Sequence, residues 1–161
     1  MKTTISGALM GLFGAFAVYL SITFGWQGWI LFLAWVCFYV YGKSIKKSLN
    51  IYLQIVLGIV LSILIEVTGK FFTEIIGEIG LYLAIFILIG SLAFLIKIKG
   101  QHDLTAWFFG LIVFFGVEPD LKLLHIGHQL LLPLAAGFAF AYVVDQIVIK
   151  LVHNGSAGTN H

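Results

Sequence analysis

Residues 49–68 read LNIYLQIVLGIVLSILIEVT, twenty positions with no charge before Glu66, preceded by Lys46 and Lys47 and followed by Lys70. At about 1.5 Å per residue, such a run forms a helix of about 30 Å, the thickness of a hydrocarbon core. Five more apolar stretches accompany it, at 5–24, 27–42, 76–98, 104–118 and 123–151. The chain has 161 residues, is 61% hydrophobic and has a mean hydropathy of +1.08. That length offers too little interior to hide six such stretches, so the bilayer must be their solvent. Helices are the expected element, because unpaired backbone groups are costly in hydrocarbon and continuous apolar runs lack the alternation of a barrel strand. The sequence therefore predicts an all-α polytopic membrane protein with six transmembrane helices. Residues 1–152 form its single membrane domain, and 153–161 form a flexible polar tail rich in Gly, Ser and Asn.

Charge orients the spans. All nine basic residues are lysines. Lys2, Lys43, Lys46, Lys47, Lys97, Lys99 and Lys150 fall at the two ends and in alternate gaps. The opposite gaps hold Lys70 and Lys122 together with Glu74, Glu78, Glu118 and Asp120. The lysine bias predicts both termini on the cytoplasmic side. Met1-Lys2-Thr3-Thr4 leads into an apolar run longer than a signal-peptide core and without a small-residue cleavage site, so it reads as a retained first helix. A net charge of +2, spread among loops, argues against a nucleic-acid partner. The one cysteine, Cys37, rules out an intrachain disulfide or a thiolate metal cluster and reads as a buried small hydrophobe.

The second stretch, GWQGWILFLAWVCFYVYG at 25–42, carries Trp26 and Trp29 at one end and Tyr39 and Tyr41 at the other. Amphipathic rings suit the headgroup level, so this helix is expected to be pinned at both interfaces, with pore lining as the rival role for its aromatic density. In the first helix, Gly7, Gly11 and Gly14 share one stripe. Such a face lets helices approach closely, within the chain or between subunits of a homo-oligomer, and a narrow conduit is the third reading. The fifth run, Leu104–Val117, reaches only about 21 Å as a helix. Either Gln101, His102 and Asp103 are drawn into the membrane, or the segment is a half-helix, or the bilayer thins locally. Gly110 and Gly116 add to the transport reading of this short segment. Pro133 lies inside the sixth helix, where it removes a backbone bond and kinks the rod.

Gln54, Ser62 and Glu66 form a loose polar line along the third helix. Polar groups in a span serve either helix association or a solute path, and Glu66, near the interface, is expected to be solvated, as is Asp145. His125 and His128, with Glu118 and Asp120 nearby, offer two imidazoles to a metal or a proton, or simply to water at the interface. No cofactor is expected. No hydrolase, metalloprotease, phosphate-loop or dinucleotide motif is present, and no carboxylate pair sits at mid-membrane, so the chain does not read as an enzyme. A shift of 79 residues superposes Gly11 on Gly90, Gly58 on Gly137 and Glu66 on Asp145, with five identities in all. Three helices per half would make such repeats inverted, as in many transporters.

The Gly-rich first helix at Gly7–Tyr19, the aromatic second helix ending at Gly42, and the short fifth helix before a long sixth resemble the YcdZ-like family. The resemblance covers residues 5–150 and departs at Lys97-Ile98-Lys99 and at His125 and His128. It implies a six-helix, multi-pass protein of the bacterial inner membrane and assigns no functional residues. Together these readings predict a small-solute channel or facilitator, for a neutral molecule because the spans lack central charge. Gln54, Ser62, Glu66, Gly110, Gly116 and Pro133 are the candidate path. The rival is a non-transporting scaffold or accessory subunit that binds another membrane protein through Gly7, Gly11 and Gly14.

Overall fold

A computed structural model describes residues 2–99 and 103–157. Among these residues every regular element is helical: α1 (Lys2–Phe24), α2 (Gly28–Val40), α3 (Ile45–Ile76), α4 (Ile79–Leu95), α5 (Leu104–Val117), α6 (Leu123–Ile126), a π-helical segment (Gly127–Leu131) and α7 (Leu132–Ala157). Three stretches are long and apolar enough to cross a membrane: Thr3–Phe24, Ile45–Ile76 and Leu123–Lys150. α2, α4 and α5 are shorter apolar helices of 13, 17 and 14 residues.

These bounds revise the expected ones. α3 does not stop at residue 68 but continues to Ile76. Glu66 and Lys70, four apart on one face, pair at 2.6 Å, in the acid-before-base order that supports a continuing helix. The fifth helix has its expected short length, yet α2 is one residue shorter still. The last long helix is interrupted by the π segment two residues before Pro133. Proline gives no N–H and crowds the carbonyl four residues back, and widening the preceding turn relieves that clash. Residues 153–157 of the expected tail continue α7, while 158–161 lie outside the described residues, as do Gln101 and His102.

The chain divides into two compact units. Unit 1 comprises residues 1–48 and 127–161, and unit 2 comprises residues 49–126. In unit 1, α2 packs on α7 and buries Ile30, Leu31, Ala34, Cys37 and Phe38 on one side, and Leu134, Phe138, Ala141 and Val144 on the other. The crossing is centred on Gly137: a methyl there would run into the Leu31 carbonyl and the Ala34 side chain. α2 ends in a Schellman turn, with Gly42 at φ 91° and the Lys43 N–H bonded to the Phe38 carbonyl at 3.0 Å.

In unit 2, α3 packs on α5. The two backbones touch where Gly58 faces Trp107 and Gly110, and a methyl on either glycine would collide with the other helix's backbone. Leu61, Ile65, Leu92, Trp107 and Leu111 form the buried cluster beside this crossing, with α4 contributing Ile85, Leu88 and Ile89. The 79-residue shift that superposes Gly58 on Gly137 also carries Leu31 to Gly110 and Lys43 to Lys122. In unit 1 the short α2 crosses the long α7 at Gly137, and in unit 2 the short α5 crosses the long α3 at Gly58 and Gly110.

Candidate functional site

Gln54, Ser62 and Gly110 are fully engaged in building unit 2. Gln54 is buried, and its Oε1 accepts the backbone N–H of Asp103 at 3.0 Å, just before α5 begins. Asp103 in turn caps that helix by accepting the Ala106 N–H at 3.0 Å. Gln54 thus anchors the start of α5 to α3. Ser62, fully buried, donates to the Gly58 carbonyl at 3.0 Å on its own helix. Gly110 forms the crossing and Gly116 is exposed on α5. Trp107 Nε1 is buried with no hydrogen-bond partner among the described residues.

Glu66 stands apart from that group. It lines a cleft of about 540 Å³ in unit 2, at the end where α3 and α5 finish and α4 begins. The lip is polar, formed by Glu66, Lys70, Thr73, Glu74 and Glu118. The floor is apolar, formed by Leu81, Phe114, Phe115 and Pro119. The extra two turns of α3 bring Lys70, Thr73 and Glu74 to the lip, and the termination of α5 brings Glu118. There the chain turns left-handed at φ 48° after the Glu118 N–H bonds the Phe114 carbonyl at 2.8 Å. Lys70 holds Glu66, whereas Glu74 and Glu118 have no ion-pair partner among the described residues. The last carbonyls of α5 add the negative pole of a helix dipole to the same lip. Sequence reasoning missed Lys70, Thr73 and Phe114 as site residues. The i, i+4 spacing of Glu66, Lys70 and Glu74 was the signal available for extending α3 to them.

Just outside the cleft, Asp120 carries a carboxyl held below its ordinary range, chiefly by a hydrogen bond from Lys122 and further by the charges of Lys122 and His125. Lys122 Nζ lies 3.1 Å and His125 Nδ1 3.5 Å from Asp120 Oδ2.

In unit 1, Asp145 departs from the solvated role expected of it. Its side chain is only 7% exposed and accepts Lys43 Nζ at 3.0 Å. That ammonium also stands 4.6 Å from the centroid of the Tyr39 ring. Pro133 is buried just after the π segment. His128, within that segment, meets the edge of Trp26 at 6.2 Å between ring centroids, and Trp26 Nε1 is buried without a partner among the described residues. Among the described residues no three His, Cys, Asp or Glu side chains gather to hold a metal. Gly7, Gly11 and Gly14 meet nothing within 4 Å of where a Cβ would stand. An apolar groove of about 390 Å³, lined by Met10, Gly14, Phe32, Trp35, Val36, Tyr39 and Val40, runs beside them.

Three helices long and apolar enough to span a bilayer, in a chain whose described regular elements are all helical, place it in the class of helical membrane proteins. The chain belongs to the family described as protein of unknown function (DUF1097), whose model matches residues 8–148. No curated protein and no solved structure matches it.

Proposed function

We propose that this protein is a facilitator for a small solute, a six-span protein of the bacterial inner membrane with both termini cytoplasmic, and that the unit 2 cleft is where the solute enters. The observation that carries the reading is the cleft itself. Its volume of about 540 Å³ falls in the range of small-molecule sites, and it joins a polar lip to an aromatic floor. The orientation rests on the lysine distribution. Between Gln54 and Glu66, α3 bears no charged side chain, and neither does α5, so a path along them suits a molecule that crosses without net charge. Flux into liposomes, measured with a panel of small polar solutes both neutral and ammonium, tests this. Protein-dependent flux for at least one solute is expected, and rates equal to empty liposomes across the panel would sink the reading.

A second reading has its own observation. Among the described residues nothing lies within 4 Å of where a Cβ would stand on Gly7, Gly11 or Gly14, and most of α1 is exposed. A scaffold role, or a homo-oligomer, would use this face. Gly11→Leu should then abolish the assembly seen on native gels while leaving the monomer folded. Assembly unchanged by that substitution rejects a role for the stripe.

A further inference from the structure

Unit 1 carries five lysines and a single carboxylate, Asp145. The lysines belong to one end of it: Lys2 begins α1, Lys43, Lys46 and Lys47 follow α2, and Lys150 lies beyond Asp145 on α7. Asp145 takes Lys43 at 3.0 Å. Lys46 and Lys47 are exposed and have no ion-pair partner among the described residues. Lys47 Nζ lies over Gly42, just past the end of α2, 2.9 Å from where a Cβ would stand.

The apolar groove of unit 1 opens at the same end. The less buried face of α2 supplies one wall, where the Phe32 and Trp35 rings stack at 6.3 Å and Tyr39 and Val40 reach toward the lysines. α1 supplies the other through Met10 and Gly14, and the missing side chain of Gly14 leaves the space open. Tyr39 joins the two features, because it lines the groove and its ring centroid stands 4.6 Å from the Lys43 ammonium.

These dimensions select an occupant. From Phe32 to Val40 the groove runs about 12 Å at ~1.5 Å per residue, within one leaflet of a ~30 Å hydrocarbon core. Its volume of about 390 Å³ is that of a single helical turn about 10 Å across, too little to seat a partner helix but open to a slender hydrocarbon chain. An apolar slot one leaflet deep, ending beside uncompensated lysines, is complementary to a phospholipid with a net negative headgroup. A zwitterionic headgroup brings its own cation to the same lysines and matches them less well.

We propose that this groove seats an acyl chain of an anionic phospholipid, with Lys46 and Lys47 binding the phosphate where Tyr39 and Val40 meet the interface. The seat lies within unit 1 and is independent of solute passage.

The test is native mass spectrometry of the full chain, released from detergent micelles and titrated with dioleoylphosphatidylglycerol or dioleoylphosphatidylcholine, which share their chains and differ in net charge. The glycerol lipid should bind about tenfold more tightly than the choline lipid. K46Q/K47Q should remove most of that preference, whereas K97Q/K99Q, an equal loss of charge in unit 2, should keep it. Gly14→Leu puts a side chain into the groove from a position where nothing lies within 4 Å, so it should weaken both lipids about tenfold without lowering the thermal midpoint. sn-Glycerol 3-phosphate, a headgroup without chains, should not compete. Equal affinity for the two lipids, a preference that survives K46Q/K47Q or falls as far with K97Q/K99Q, or binding indifferent to Gly14→Leu overturns the proposal. Competition by glycerol phosphate would assign the lysines to a soluble anion, and a dimer lost on Gly14→Leu in place of a lipid adduct would assign the groove to a second copy of the chain. Either result overturns it as well.

Discussion

The two units each hold a glycine-admitted helix crossing and differ in how their charges are placed. Each crosses a short helix with a long one where glycine admits the neighbouring backbone: Gly137 under α2 in unit 1, Gly58 and Gly110 between α3 and α5 in unit 2. Beyond the crossing, unit 1 is fastened by Lys43 and Asp145, while the corresponding Lys122 and Glu66 each pair locally, with Asp120 and Lys70, and the cleft stays open. A shared crossing with unlike ends separates what holds each unit together from what distinguishes them. Close backbone approach is the common requirement, and charge placement is the variable.

The largest expected effect lies in the common part. Gly110→Leu should force α5 away from α3 and cost about 3 kcal/mol, the upper range for overpacking, because the obstruction is backbone rather than a flexible side chain. Gly137→Leu should act similarly in unit 1. By contrast, Gly7→Ala or Gly11→Ala, where nothing lies within 4 Å, should leave monomer stability unchanged or raise it by about 0.5 kcal/mol through helix propensity. Equilibrium unfolding in mixed micelles measures all four, and similar losses at Gly11 and Gly110 would refute the assignment of the crossings.

The next effect sharpens the difference between the ends. Asp145→Asn leaves Lys43 without its carboxylate and should cost about 2 kcal/mol, less than the ~3–5 of a pair buried on both sides, because Lys43 is 49% exposed. Glu66→Gln breaks a pair whose lysine is 66% exposed and should cost about 0.5 kcal/mol or less. Equal costs would mean that the two ends are fastened alike. Between these two costs, and confined to unit 2, Gln54→Leu removes the bond to the Asp103 N–H and should cost about 1 kcal/mol. Amide exchange should report it as faster fraying of the first turn of α5.

The apolar helices were legible in the sequence because hydrocarbon selects a composition that tertiary detail does not override, and three of them, Ile45–Ile76 among them, are long and apolar enough to cross a membrane. The crossings were legible only in part. Gly58 and Gly137 stood out through the 79-residue shift, but nothing in one dimension distinguishes a glycine that meets a backbone from Gly7, which meets nothing. The cleft was hidden by a boundary. The span read as ending at residue 68, before Lys70, whereas α3 runs on through the Glu66–Lys70 pair to Ile76 and brings Glu74 to the same cleft as Glu118. Gln54 misled for the opposite reason: a polar side chain in a span indicates that a partner exists, and here that partner is the start of a neighbouring helix.

The smallest effect concerns where unit 2 keeps its lysine. Asp120 is depressed chiefly by the hydrogen bond from Lys122, with the Lys122 and His125 charges adding to it. A carboxyl whose folded pKa lies below its unfolded value contributes stability that is present above the unfolded value and fades as pH falls through the folded one. The Lys122 attachment should therefore persist at neutral pH and be lost only on acidification below the ordinary carboxylate range. Lys122→Gln should move the Asp120 carboxyl resonance back toward an ordinary titration, with His125→Gln shifting it less, because the lysine supplies the largest part of the depression. If His125→Gln had the larger effect, the lysine would not be what holds Asp120 down. The contrast between a lysine bound across its unit at residue 43 and one kept beside its own turn at residue 122 would then lose its basis.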